Sequence, residues 1–264
     1  PGRLPESTAA TGPTRARGRQ PPPAVISFRA MRKPAALSLA AISCSSRLCS
    51  RPSNQRSRAC RSASAAAAAA AATVETDFKR ILAYSTVSQI GYIFLGFSMA
   101  NAAGISGSLL FILMHGLAKA GLFLCAGIVI HATHQKDIRE MGGLIRTMPV
   151  TAVAFLLCAF SVIGIPPFGG FFSKFLVIMG TLQAGQIWLA GTALFTAVLT
   201  MFYLLKVFSL VFLGEARHPA PEKTKSMVFV VATLAVLSLA AGLLVSYPMK
   251  LVNIATAEMS WWLR

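Results

Sequence analysis

The 264-residue chain is 55% hydrophobic and only 12% charged, whereas a soluble domain carries about a quarter charged residues. That balance excludes an ordinary soluble enzyme and reads as an all-α, polytopic membrane helix bundle. The formal charge of +17 would suit nucleic acid, but twelve basic residues lie in residues 1–74 against the single acid Glu6. The other thirteen, against seven acids, are loop charges of the kind that orient helices, so no nucleic-acid partner is expected.

Residues 1–73 are rich in Arg, Ser, Pro and Ala, nearly free of acids, and end in eight alanines at 65–72. No hydrophobic period runs through them. Such a composition fits an organellar transit peptide; it also fits GC-rich DNA translated out of frame, an artefact of the gene model. Either way the segment is expected to be disordered or to form an ill-defined helix at the alanine run.

From Val74 the character changes, and apolar spans follow at residues 81–103, 107–132, 149–163, 168–184, 187–213 and 227–245. About six transmembrane helices are therefore expected, one of them broken. The break falls at GIPPFGG, residues 164–170, because proline removes a backbone donor and clashes with the preceding turn. Lys79 and Arg80, and two spans later Lys136, Arg139 and Arg146, should share the cytoplasmic side by the positive-inside rule. Residues 251–264 read as an interfacial tail anchored by Trp261 and Trp262.

The second span holds the residues with most to say. Lys119 is central in the 25 apolar residues 107–131, roughly 18 Å from either end, and a lysine stem reaches only about 6 Å. Its charge must be hydrated, paired or lost. His115 lies four residues earlier, so the two share a helix face and can be bridged directly or through one water. Histidine titrates near neutrality, which suits a proton relay. The alternative is a strut, with Lys119 tying two helices together through backbone carbonyls.

Lys174 follows the break by four residues, and broken helices at membrane depth occur where loosened backbone lines a hydrated cavity or an ion site. It is expected to be a second path residue. Lys206, seven residues from its span's end, can reach the interface and is only a possible path residue. His131 and His134 sit at a helix end beside a charged loop and need no role. Five cysteines show no metal-ligand spacing, so no metal is expected; Cys125 and Cys158 read as small core residues. With no phosphate loop, dinucleotide fingerprint or nucleophile elbow, neither a cofactor nor a catalytic residue is expected.

TDFKRILAYSTVSQIGYIFLGF (residues 76–97), FILMHGLAKAGLFLCAGIVIHA, DIREMGGLIRTMPVTA and GIPPFGGFFSKF, in this order, resemble the antiporter-like membrane subunits of respiratory complex I, membrane-bound hydrogenases and Mrp antiporters. The likeness covers about residues 74–250, which would form the proton-translocating membrane domain. It implies a subunit of about fourteen helices with two inverted five-helix repeats, each holding a broken helix and an essential ionisable residue. This chain resembles the second repeat and the helix after it.

On that likeness Lys119 matches the lysine joining two half-channels, His115 the histidine one turn before it, and Lys174 the ionisable residue of the second broken helix. Phe111 stands where some members carry a further histidine. The glutamate and lysine of the first repeat have no counterpart here. The resemblance implies part of a redox-driven proton pump, a non-redox subunit of an NADH:quinone oxidoreductase or hydrogenase-type translocase. Its partners would be other membrane subunits and the lipid bilayer, in a bacterial inner membrane, or an organellar one if residues 1–73 are a transit peptide. The alternatives are an Mrp-type subunit exchanging sodium for protons, and a truncated or frameshifted fragment that transports nothing.

Overall fold

A computed structural model describes residues 54–215 and 225–259. Among the described residues the chain is helical: α1 Asn54–Val74, α2 Phe78–Ser98, α3 Ala102–Thr133, α4 Pro149–Ile163, α5 Gly169–Gln183, α6 Ile187–Phe212, α7 Lys225–Leu243 and α8 Ser246–Met259. Four of these, α2, α3, α6 and α7, are long and apolar enough to cross a membrane. The interrupted span appears as two 15-residue pieces, α4 and α5. The expected polytopic helical bundle is what the sequence forms.

α3 is the central element, packed against α2, α4, α5, α7 and α8. Its 32 residues are capped at the start by Asn101, whose side-chain oxygen accepts the Gly104 N–H and so satisfies one of the free amides of the first turn. The Asn101 amide nitrogen then donates 2.7 Å to the Gly180 carbonyl, fastening the start of α3 to the end of α5. At the other end of the bundle, Phe78 N–H donates to Lys136 O at 3.0 Å and Ile138 N–H to Thr76 O at 2.9 Å. This short pairing puts Lys79 and Arg80 at the same end as Lys136 and Arg139, as the alternation of loop charge requires.

Where the structure describes the N-terminal segment, residues 54–73 belong to α1, which packs along α2 and α6. Alanine has the highest helix propensity and the smallest side chain that still has a Cβ. Ala65, Ala68, Ala69 and Ala72 therefore approach their neighbours closely and are buried, without any apolar period of large residues. Residues 1–53, and the anchor read into Trp261 and Trp262, lie outside the described residues. Helix α8 also runs across the expected boundary at residue 250.

Candidate proton-path site

Lys119 is buried between α3 and α2, only 6% exposed. Its Nζ donates to Leu82 O at 3.1 Å and to Ser85 Oγ at 2.7 Å. The carbonyl contact is the one a strut would make. The hydroxyl contact is different in kind, because Tyr203 of α6 also donates to Ser85 Oγ, at 2.7 Å, and lies in hydrogen-bonding range of Thr200 and Gln89. Gln89 Nε2 in turn donates to Thr200 Oγ1 at 3.0 Å. Three helices thus meet in one buried polar cluster with the lysine at its end.

Lys174 sits five residues past the α5 start, and its ammonium is held by the end of the other half of the broken span. Its Nζ donates to Val162 O at 2.8 Å and Ile163 O at 3.1 Å. Those two carbonyls lack the usual helical backbone partner for a local reason. In a continuing helix they would accept from the N–H groups four residues on, and positions 166 and 167 are both proline, which has none. The Phe160 carbonyl, by contrast, is taken by the Gly164 and Ile165 amides.

Gly164 closes α4 in the left-handed region, φ 87°, and a Cβ there would lie 3.1 Å from Lys174 Cδ. Gly170 lies against the Ser161 carbonyl so closely that a Cβ has no room. Gly164 and Gly170 are therefore required by the seat of Lys174, one by conformation and one by approach. The rings of Tyr92 and Phe111 complete it, with centroids 5.2 and 5.9 Å from Nζ.

His115 shares the α3 face with Lys119 and stacks edge-on with Phe111, ring centroids 5.8 Å apart. It is 8% exposed, and neither ring nitrogen has a hydrogen-bonding partner among the described protein groups. Both ammonium groups lie within electrostatic reach of it. The structure brings Lys119, His115 and Lys174 to one region of the bundle; no direct hydrogen bond joins them. Lys206 goes elsewhere: half-buried, it donates to Thr73 O at 2.8 Å and Glu75 O at 3.4 Å, where α1 ends.

Three features of the site are silent in the sequence. Ser85, Gln89 and Tyr203 lie unmarked inside apolar spans, although Thr196, Thr200 and Tyr203 trace one helical face at spacings of four and three. Phe111 has a ring that flanks the Lys174 ammonium. Tyr92 is buried and donates its hydroxyl to Ala193 O while its face meets the same ammonium. Cys125 and Cys158 are buried, Cys125 with a long contact of 3.8 Å to Thr151 O. Among the described residues there is no cluster suited to a metal ion.

Residues 21–200 match the sequence profile of the family described as NADH:quinone oxidoreductase/Mrp antiporter, transmembrane. The chain belongs to that antiporter-like family. It is 41% identical over 142 residues to a Na(+)/H(+) antiporter subunit of Alkalihalophilus pseudofirmus, covering 54% of this chain and 29% of that protein. It is 46% identical over 156 residues to an NADH-quinone oxidoreductase subunit of Mycobacterium tuberculosis, covering 55% and 24%. Among solved structures, the Mrp complex of a Dietzia species aligns with a TM-score of 0.74 at 28% identity, over 78% of this chain and 47% of that one. Respiratory complex I of Thermus thermophilus aligns with a TM-score of 0.69 at 26% identity, over 78% and 45%. The chain therefore spans about a quarter of the curated antiporter-like relatives' length and just under half of the structural ones.

Proposed function

We propose that this chain is the part of an antiporter-like membrane protein that carries protons through Lys119, His115 and Lys174, driven by redox chemistry in partner subunits. The observation that carries the proposal is the Lys119–Ser85–Tyr203 arrangement. A lysine deep in a membrane bundle has as its hydrogen-bond partners one neutral, rotatable hydroxyl, which a second hydroxyl also bonds, and one carbonyl. An ammonium held that way has no counter-charge to lock it in the charged form. Hydroxyl-to-hydroxyl bonds reverse when both O–H groups rotate, so the cluster can hand a proton along.

In this mechanism a signal from the partner assembly changes the proton affinity of Lys119. The proton then passes by way of His115 and water to Lys174, and out on one side. His115 suits the middle position because its two ring nitrogens can take a proton on one side and release it on the other. The Tyr203, Thr200 and Gln89 groups extend the path from Lys119 toward α6. We place the chain in a bacterial inner membrane, among other membrane subunits, in line with its bacterial relatives.

The test is made in an intact homologous subunit within its complex. Alanine at the position of Lys119 or of Lys174 should cut proton transport at least about tenfold while the complex still assembles. Full pumping by both variants overturns the assignment.

A second reading is an Mrp-type protein that exchanges sodium for protons, favoured by the 41% identity to the Na(+)/H(+) antiporter of Alkalihalophilus pseudofirmus. Genes beside this one separate the two: quinone or hydrogenase subunits support the first, a run of small antiporter subunits the second. Transport by this stretch without the rest of such a protein is a separate question.

A further inference from the structure

The seat of the Lys174 ammonium is built by the scaffold and not by an opposite charge. Two carbonyls at the C-terminal turn of α4 point at it, at 2.8 and 3.1 Å, from the negative end of that helix. Two aromatic faces, Tyr92 and Phe111, lie on its flank at 5.2 and 5.9 Å. No carboxylate pairs with it among the described residues. Beside the seat, His115 keeps two buried ring nitrogens without a partner, and Ser161, just before the carbonyl pair, keeps a buried hydroxyl without one. Everything that recognises the cation is thus supplied by groups other than the lysine itself.

We propose that this seat is a binding site for a small primary ammonium ion, and that Lys174 fills it as a tethered ligand. An ammonium group has three N–H donors, enough for two carbonyls and one further acceptor, and it gains from the ring faces. A sodium or potassium ion is a poorer occupant. It exchanges its hydration shell for a ring of oxygens, and two carbonyls on one side do not make a ring. The site selects by hydrogen-bond geometry and by the aromatic walls.

Ammonium binding at this seat is separable from proton transport and is read by binding alone. Lys174→Ala deletes, beyond Cβ, a propylammonium group. The full-length variant in detergent micelles is titrated with propylammonium, methylammonium, sodium and potassium chlorides at constant ionic strength, and its thermal midpoint is followed by circular dichroism. Propylammonium should raise the midpoint of Lys174→Ala saturably and leave the wild type, whose seat is filled, unmoved. The double variant with Phe111→Leu should need about tenfold more amine for the same rise.

Absence of a saturable rise, an equal rise with sodium, or an equal rise in the wild type overturns the proposal. Should Lys174→Ala not be recovered as a monodisperse protein, Lys174→Ser is titrated in the same way, since a serine hydroxyl can satisfy itself on its own helix. Unchanged transport in an alanine variant would sink the proton reading and leave this one standing.

Discussion

Lys119 of α3 and Tyr203 of α6 meet on one oxygen, Ser85 Oγ of α2, each at 2.7 Å. A hydroxyl has two lone pairs and one proton, so Ser85 can accept from both and still turn its own proton elsewhere. The two long side chains are thus joined through a single atom, and a change in the charge of one is felt by the other there. Two substitutions separate the parts of this junction.

Tyr203→Phe removes one donor and leaves Ser85 bonded to Lys119, so it should cost only about 1 kcal/mol. Ser85→Ala removes the acceptor shared by two side chains, leaving Tyr203 only Thr200 and Gln89 and the ammonium Leu82 O alone, which should cost about 2–3 kcal/mol. Unfolding midpoints of the two variants in one detergent check the order. Equal losses would mean that Ser85 is not the shared acceptor.

Gly164→Ala should destabilise the protein by about 1–3 kcal/mol, because it forces a side chain into the left-handed region and toward the stem of Lys174. Gly170→Ala should be worse, since its Cβ would meet the Ser161 backbone carbonyl, which cannot swing aside. Expression yield and elution profile give the ranking.

Lys206→Met should loosen α1 without disturbing the Lys119 cluster. The lysine supplies charge-assisted hydrogen bonds to Thr73 O and Glu75 O at the end of α1, where a cation is worth about 1–2 kcal/mol. Hydrogen exchange resolved by peptide should rise in residues 60–75 and stay constant around Ser85. A rise at both sites would place Lys206 within the path instead.

Asn101→Ala removes the N-cap of α3 and the tie to Gly180 together, and should cost about 2 kcal/mol. Asn101→Asp keeps the cap acceptor and loses only the tie. Its cost should fall between wild type and alanine, as thermal melts would show.

How far the chain discloses itself depends on whether a residue breaks the local rule of its surroundings. Lys119 and Lys174 are legible because a charge is out of place in an apolar span, and the break at 164–170 is legible because proline cannot continue a helix. The shared end for Lys79 and Lys136 follows from charge alternation and is met by the pairing of residues 76–78 with 136–138. Ser85, Thr200 and Tyr203 break no rule, since small hydroxyls and tyrosine pass unremarked among apolar neighbours. Phe111 is hidden for the opposite reason: an aromatic ring looks like core, and only three dimensions show the ammonium beside it. Helix α1 lacks the large apolar residues by which a packed helix is normally recognised.

Pro166 and Pro167 are four residues downstream of the two carbonyls that hold Lys174. The missing amide hydrogens act as an address label. By declining to serve Val162 and Ile163, the imino nitrogens determine where a charge twelve and eleven residues later must dock. Any substitution that restores an amide hydrogen at either position supplies a competitor from within the chain, and the lysine would then share its berth with its own backbone.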